Sequence, residues 1–129
     1  FYEERRIKRD LRLLSLFRLL KNKKGGPLMA SSSKSERNFQ ANLIRELKTM
    51  FPGCMVIKLD SGYIQGIPDL LVLFKNRWAT LECKKVAGAK KQPNQEYYVG
   101  CMDEMSFSRF ICPENKEEVL HELQQTFKP

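Results

Sequence analysis

Phe39, Leu43, Leu47 and Met50 recur at helical spacing, a stripe that predicts a helix running to about Met50 and closed by Pro52-Gly53. Ser33-Lys34-Ser35-Glu36 has the Ser-x-x-Glu form of a capping box and marks its start. Cys54–Leu59 (CMVIKL) then predicts a strand, followed by a turn-rich connection through Asp60-Ser61-Gly62 and Gln65-Gly66. Pro68–Phe74 (PDLLVLF) is a nearly continuous apolar run, the pattern of a central strand buried on both faces. Lys75-Asn76-Arg77 predicts a tight turn into a third strand, Trp78–Lys84. After a Gly/Lys loop, Pro93 opens a helix to about Met105. Phe107–Cys112 predicts a fourth strand. Glu114–Phe127 predicts a last amphipathic helix with Val119, Leu120, Leu123 and Phe127 turned inward. The order is α-β-β-β-α-β-α, an α/β fold with a sheet of about four strands flanked by helices.

The residues before Ser33 break this regularity. Leu11, Leu13, Leu14, Leu16, Phe17, Leu19 and Leu20 fall all round a helical wheel instead of on one stripe. A Ser-rich linker, Ala30 to Ser33, follows Lys23-Lys24-Gly25-Gly26-Pro27-Leu28-Met29. Lys-Lys-Gly-Gly can be encoded by a purine tract resembling a ribosome-binding site, so Met29 is a candidate start for a domain of 101 residues. The other reading of residues 1–28 is a basic arm.

Charge changes the picture in the same place. The 129 residues carry 23 Lys and Arg against 15 Asp and Glu, a net of +8. Residues 1–28 hold nine basic and three acidic side chains, which leaves the remainder at only +2. The polyanion signal of a basic protein therefore belongs mostly to the first 28 residues. No apolar run approaches the roughly 18 residues of a membrane span, and no membrane partner is expected. Nor is a secretory signal expected within these residues. Cys54, Cys83, Cys101 and Cys112 form no Cys-x-x-Cys pair, which disfavours a zinc knuckle and suits reduced thiols in the cytoplasm. With His121 as the single histidine, any chemistry falls to carboxylates, lysines and a hard metal ion.

Such a set exists. Asp69 opens the central strand, and Glu82 and Lys84 stand two apart on the next, sharing one face. A hairpin between these strands can set Asp69 beside Glu82. Two close carboxylates repel unless a cation sits between them, and Mg²⁺ or Mn²⁺ meets that demand with oxygen ligands. The competing reading makes Thr80, Glu82 and Lys84 a solvated strand face. Glu36 also has two readings: a capping-box residue, or a carboxylate that falls within the stripe of Leu43 and Leu47 and so faces the sheet. Gln95 shares a stripe with Tyr98, Val99, Met102 and Met105, an odd place for an amide unless it bonds something specific. Lys58 and the basic loop of Lys85, Lys90 and Lys91 are candidate DNA contacts, or ordinary solvated positions.

Gly66-Ile67-Pro68-Asp69, then twelve residues, then Glu82-Cys83-Lys84 resembles the signature of the PD-(D/E)xK nucleases. Gly66 before Pro-Asp and the Pro93-Asn94-Gln95 helix start are similar to the VRR-NUC branch, which includes small phage nucleases and Holliday-junction resolvases. The likeness covers about residues 33–125. It implies a restriction-endonuclease-like core around a mixed sheet, and Mg²⁺-dependent hydrolysis of DNA to a 5′-phosphate and a 3′-hydroxyl. By this resemblance Asp69, Glu82 and the backbone carbonyl of Cys83 hold the metal, Glu36 completes the site or binds a second ion, and Lys84 and Gln95 serve catalysis. The expected substrate is branched or junction DNA, cut by a homodimer with two active sites, in a cytoplasm that is the host's if the gene is a phage's. Homing or restriction-like cutting is the alternative enzyme. A catalytically silent nuclease fold that only binds DNA is the alternative of another class.

Overall fold

A computed structural model describes residues 34–128; the basic segment 1–28, the candidate start Met29 and Ser33 lie outside the described residues. The chain is α/β: α1 (Lys34–Met50), β1 (Met55–Lys58), β2 (Leu70–Phe74), β3 (Arg77–Cys83), α2 (Pro93–Met105), β4 (Ser108–Ile111) and α3 (Lys116–Thr126). The four strands form one mixed sheet in the order β1-β2-β3-β4. β1 and β3 run antiparallel to β2, and β4 runs parallel to β3. Parallel neighbours need a crossover, and α2 supplies it.

Leu43, Leu47 and Phe51 of the first helix and its exit are buried with Leu70, Val72, Ala79, Leu81 and Ile111 of the sheet and Val119, Leu120, Leu123 and Phe127 of α3 and its end. This is the main core. Phe51, Phe74 and Phe127 close one end of it, with ring centroids 5.1–5.9 Å apart. The β2–β3 turn at that end, Lys75-Asn76, holds Lys75 at φ +56°, the left-handed conformation that two-residue hairpin turns use.

The apolar run Pro68–Phe74 is not a strand buried on both faces. Pro68 and Asp69 precede β2, and within it only Leu70 and Val72 are buried while Leu71 and Leu73 stay half-exposed. The doubly buried strand is β3, whose Ala79–Cys83 are all enclosed despite containing Thr80 and Glu82. α2 is the cause, since it packs over β3 and β4 and leaves β1 and β2 open on that face. Met55 (60% exposed) and Ile57 (37%) mark the uncovered half. Thr80 meets its burial by donating to Ser108 Oγ at 2.7 Å.

All four cysteines are free; Cys83 and Cys112 are buried, Cys54 and Cys101 half-buried. No described helix is long and apolar enough to cross a membrane.

Candidate active site

The end of the sheet opposite the phenylalanines collects the predicted chemistry. Leu70 pairs with Leu81, so one more step of the antiparallel register sets Asp69 across from Glu82. Asp69 is seated by the backbone of the neighbouring strand: the Cys83 N–H donates to Asp69 Oδ2 at 2.9 Å. The solvated-face reading of Glu82 is excluded, because this side chain is only 3% exposed. Burial, chiefly, and then the Asp69 charge push its carboxyl up to about 9. Without a cation between the two carboxylates, both causes favour the protonated form of Glu82.

Gln95, at the start of α2, explains its own polar place on an apolar stripe. Lys84 Nζ donates to Gln95 Oε1 at 2.7 Å, and Gln95 Nε2 donates to Glu82 Oε1 at 3.2 Å. The Gln92 N–H also donates to Gln95 Oε1, at 3.0 Å. Gln95 thus joins an ammonium to a carboxylate while capping its own helix. The other carboxylate oxygen, Glu82 Oε2, is buried and meets no hydrogen-bond partner in full geometry, although Asp69 is near enough to accept from the protonated form. A buried, unsatisfied acceptor beside a second carboxylate is an arrangement a cation would relieve.

Glu36 reaches the same place from the start of α1. It is half-buried, and its affinity for a proton is raised by that burial and next by the Asp69 charge, while Lys84 and Lys85 oppose the rise. Both readings of this glutamate remain physically compatible. Glu36→Gln separates them: a cap survives the change, since glutamine serves in the same motif, but a metal-site charge does not. Melting should stay nearly unchanged, DNA affinity should hold or rise, and cutting should fall about tenfold or more. Normal cutting would leave Glu36 to the helix.

Among the described residues no three His, Cys, Asp or Glu side chains converge as a ready-made ligand cluster. Asp69 and Glu82 offer two close carboxylates instead of a closed cage. That fits Mg²⁺, which keeps several waters and is held by one or two carboxylates plus substrate oxygens.

The lysines divide. Lys84 stands one residue beyond β3 and joins the site through Gln95. Lys85 is exposed and close enough to act on Glu36. Lys91 lies over the Phe110 ring, 4.5 Å from its centroid, and Phe110 pairs with Glu82 in the sheet. Lys90 is exposed. Lys58 is also exposed, but its partner Leu70 puts it on the opposite face from Glu82, so the sheet does not join it to the carboxylates.

Gly66 was legible only as part of a motif, yet it has a mechanical task. It takes φ +89°, and a Cβ there would come within 2.4 Å of Asn94 Cβ and 2.8 Å of the Asn94 carbonyl carbon. The turn leading into Asp69 is therefore pressed against the first turn of α2, next to Gln95. A bare glycine at a close backbone approach is the signal that could have found it. Asp69, Glu82, Lys84 and Gln95 thus form one braced group, with Glu36 alongside. No protein-family model, curated protein or solved structure matches this chain.

Proposed function

We propose that the chain is a metal-dependent DNA endonuclease of the PD-(D/E)xK type, similar to the VRR-NUC branch and acting in the cytoplasm. One observation carries this reading. Glu82 is buried against Asp69 with an oxygen left unsatisfied, and its other oxygen is tied through Gln95 to Lys84. Burying a carboxylate in this way costs the fold stability, whereas two carboxylates beside a lysine suit metal-assisted hydrolysis of a phosphodiester.

Asp69, Glu82 and the Cys83 carbonyl would hold Mg²⁺ or Mn²⁺, with Glu36 within reach. Such an ion supplies Lewis-acid polarisation of the phosphate and lowers the pKa of a bound water. Lys84, oriented by Gln95, stabilises the negative charge that grows on the phosphate oxygens. Glu36 and Gln95 stand in the first turns of α1 and α2, and helix N-termini favour an approaching anion. Lys85, Lys90 and Lys91 extend a cationic rim for the DNA backbone.

The silent-binder reading accounts less well for this arrangement. A pure binder draws its affinity from phosphate neutralisation, and residues 29–129 carry a net charge of only +2. A site whose neighbouring cations suit phosphate contacts favours substrates recognised by shape, such as junctions and flaps. The uncovered sheet half around Met55 and Ile57 is an apolar surface on which a second copy would place a second active site.

Incubation with linear, flapped and four-way DNA in Mg²⁺ tests the proposal. Cutting of the branched forms, lost in EDTA and in Asp69→Asn and Lys84→Ala, is expected. Binding without cutting under any divalent ion would return the chain to the silent class.

A further inference from the structure

The connection from β1 to β2 carries a side chain that the fold does not use. Tyr63 is 86% exposed, far more than any other large hydrophobic residue among those described. Single exposed apolar side chains are ordinary; what sets this one apart is the loop that holds it. The Leu59 N–H donates to the Asp69 carbonyl at 2.9 Å and closes the loop at its base. Inside, the Gly62 N–H donates to Asp60 Oδ1 at 2.8 Å. The N–H groups of Tyr63 and Ile64 donate to the Asp60 carbonyl, at 3.1 and 3.2 Å, and that of Ile67 to the Ile64 carbonyl. Gly66 is wedged against Asn94 on the far side. Tyr63 therefore projects from an internally braced support, not from a slack tip.

That support ends on Asp69. Five residues separate Tyr63 from it, so their backbones are about 20 Å apart at full extension and closer in this folded loop. The ring accordingly lies within a few nucleotides of a phosphate held at Asp69 and Glu82. Composition then narrows what it can touch. Asp60 to Gln65 (DSGYIQ) contains no lysine or arginine and one acid, so this loop is poorly suited to gripping a phosphate backbone. An aromatic face is suited to a base. A continuous duplex presents no free base face, whereas a nucleotide unpaired at a flap or branch does.

We infer that Tyr63 is a stacking platform for an unpaired base within a few nucleotides of the scissile phosphate, and that it gives the site its preference for branched or flapped DNA over continuous duplex. This rests on the nuclease reading above and names the substrate feature that the site would select.

The test uses the full chain in EDTA, so that binding is read without cutting. The probes are a flapped duplex with 2-aminopurine at the first unpaired position and a continuous duplex of the same sequence. Wild type, Tyr63→Phe and Tyr63→Trp should quench the flap fluorescence on binding. Tyr63→Ala should not, and its flap affinity should fall about tenfold, toward that for the continuous duplex. Equal weakening on both probes, no weakening at all, or loss in Tyr63→Phe would overturn the stacking role. The two readings fail separately: wild type that cuts branched DNA in Mg²⁺ while Tyr63→Ala keeps full flap preference sinks only the platform. Wild type that neither binds nor cuts any of these probes sinks both.

Discussion

Glu82→Gln should abolish Mg²⁺-dependent cutting and, in the same protein, raise the stability of the metal-free fold. Loss of one ligand charge is expected to reduce cleavage by on the order of 10²–10³. The stability effect follows from the proton. Glutamine reproduces the protonated carboxyl: its oxygen still accepts from Gln95, and its amide can donate toward Asp69. In the wild type the folded carboxyl titrates near 9, against 4.5 for an ordinary glutamate. Between those values the folded chain binds one more proton than the unfolded chain, so stability falls as pH rises. It is greatest below about pH 4.5 and is lost progressively up to about pH 9. A full proton gives a slope of about 1.4 kcal/mol per pH unit, so over the two and a half units from 4.5 to pH 7 the variant should become more stable by roughly 3 kcal/mol. Melts at about pH 5, 7 and 9 would read this directly. A variant that is less stable at every pH, with the wild-type slope intact, would show that Glu82 is ionised in the native state.

Gly66→Ala should be the most damaging glycine-to-alanine change among the described residues. A left-handed φ costs an L-residue roughly 1–2 kcal/mol, and here the added carbon also meets Asn94 at 2.4 Å. Together these predict a loss of about 2–4 kcal/mol, or roughly 10–20 °C in a domain of this size. Gly53→Ala is the matched control, because Gly53 has φ +88° with nothing within 4 Å of the added carbon. It should cost only about 1 kcal/mol. The difference between the two isolates the contact between the turn and α2. Since that contact sets the turn before Asp69 beside the first turn of α2, which carries Gln95, any folded Gly66→Ala protein should also cut poorly. Equal melting losses would mean that the turn can step away from Asn94 freely.

Most of the fold is legible in the sequence because each element announces itself locally. The stripe of Leu43 and Leu47 and the inward set Val119, Leu120, Leu123 and Phe127 are buried as their spacing requires. β1, β2 and β4 are shorter at their ends than the apolar runs suggest, and β3 keeps its length but starts one residue earlier, at Arg77; Asp69 and Lys84 fall just outside β2 and β3. Hydrophobicity marks what is buried, whereas a strand ends where the ladder ends. Burial of the sheet faces differs from the sequence pattern for a related reason. A composition such as that of β3, with Thr80 and Glu82, reads as half-exposed until the position of the crossover helix is known. Asp69, Glu82 and Lys84 could be picked out because a carboxylate is costly in or beside a central strand. Gln95 could be picked out because an amide on an apolar stripe needs a partner. Tyr63 gave no such signal: an exposed aromatic obeys no period, and only the braced loop around it makes it conspicuous.

Cys83 has a practical consequence. It lies fully buried on the central strand between Glu82 and Lys84, and its thiol is pushed up by burial first and by the Asp69 charge next. A disulfide reagent can reach it only when that strand leaves the sheet, so its modification rate measures opening of the whole domain. A bound ligand that favours the closed form lowers the open population by a factor of one plus the ratio of free ligand concentration to Kd. The native chain is therefore its own chemical clock: without a dye or a tag, slowing of Cys83 modification by Mg²⁺ or by DNA would report which of them grips the closed site.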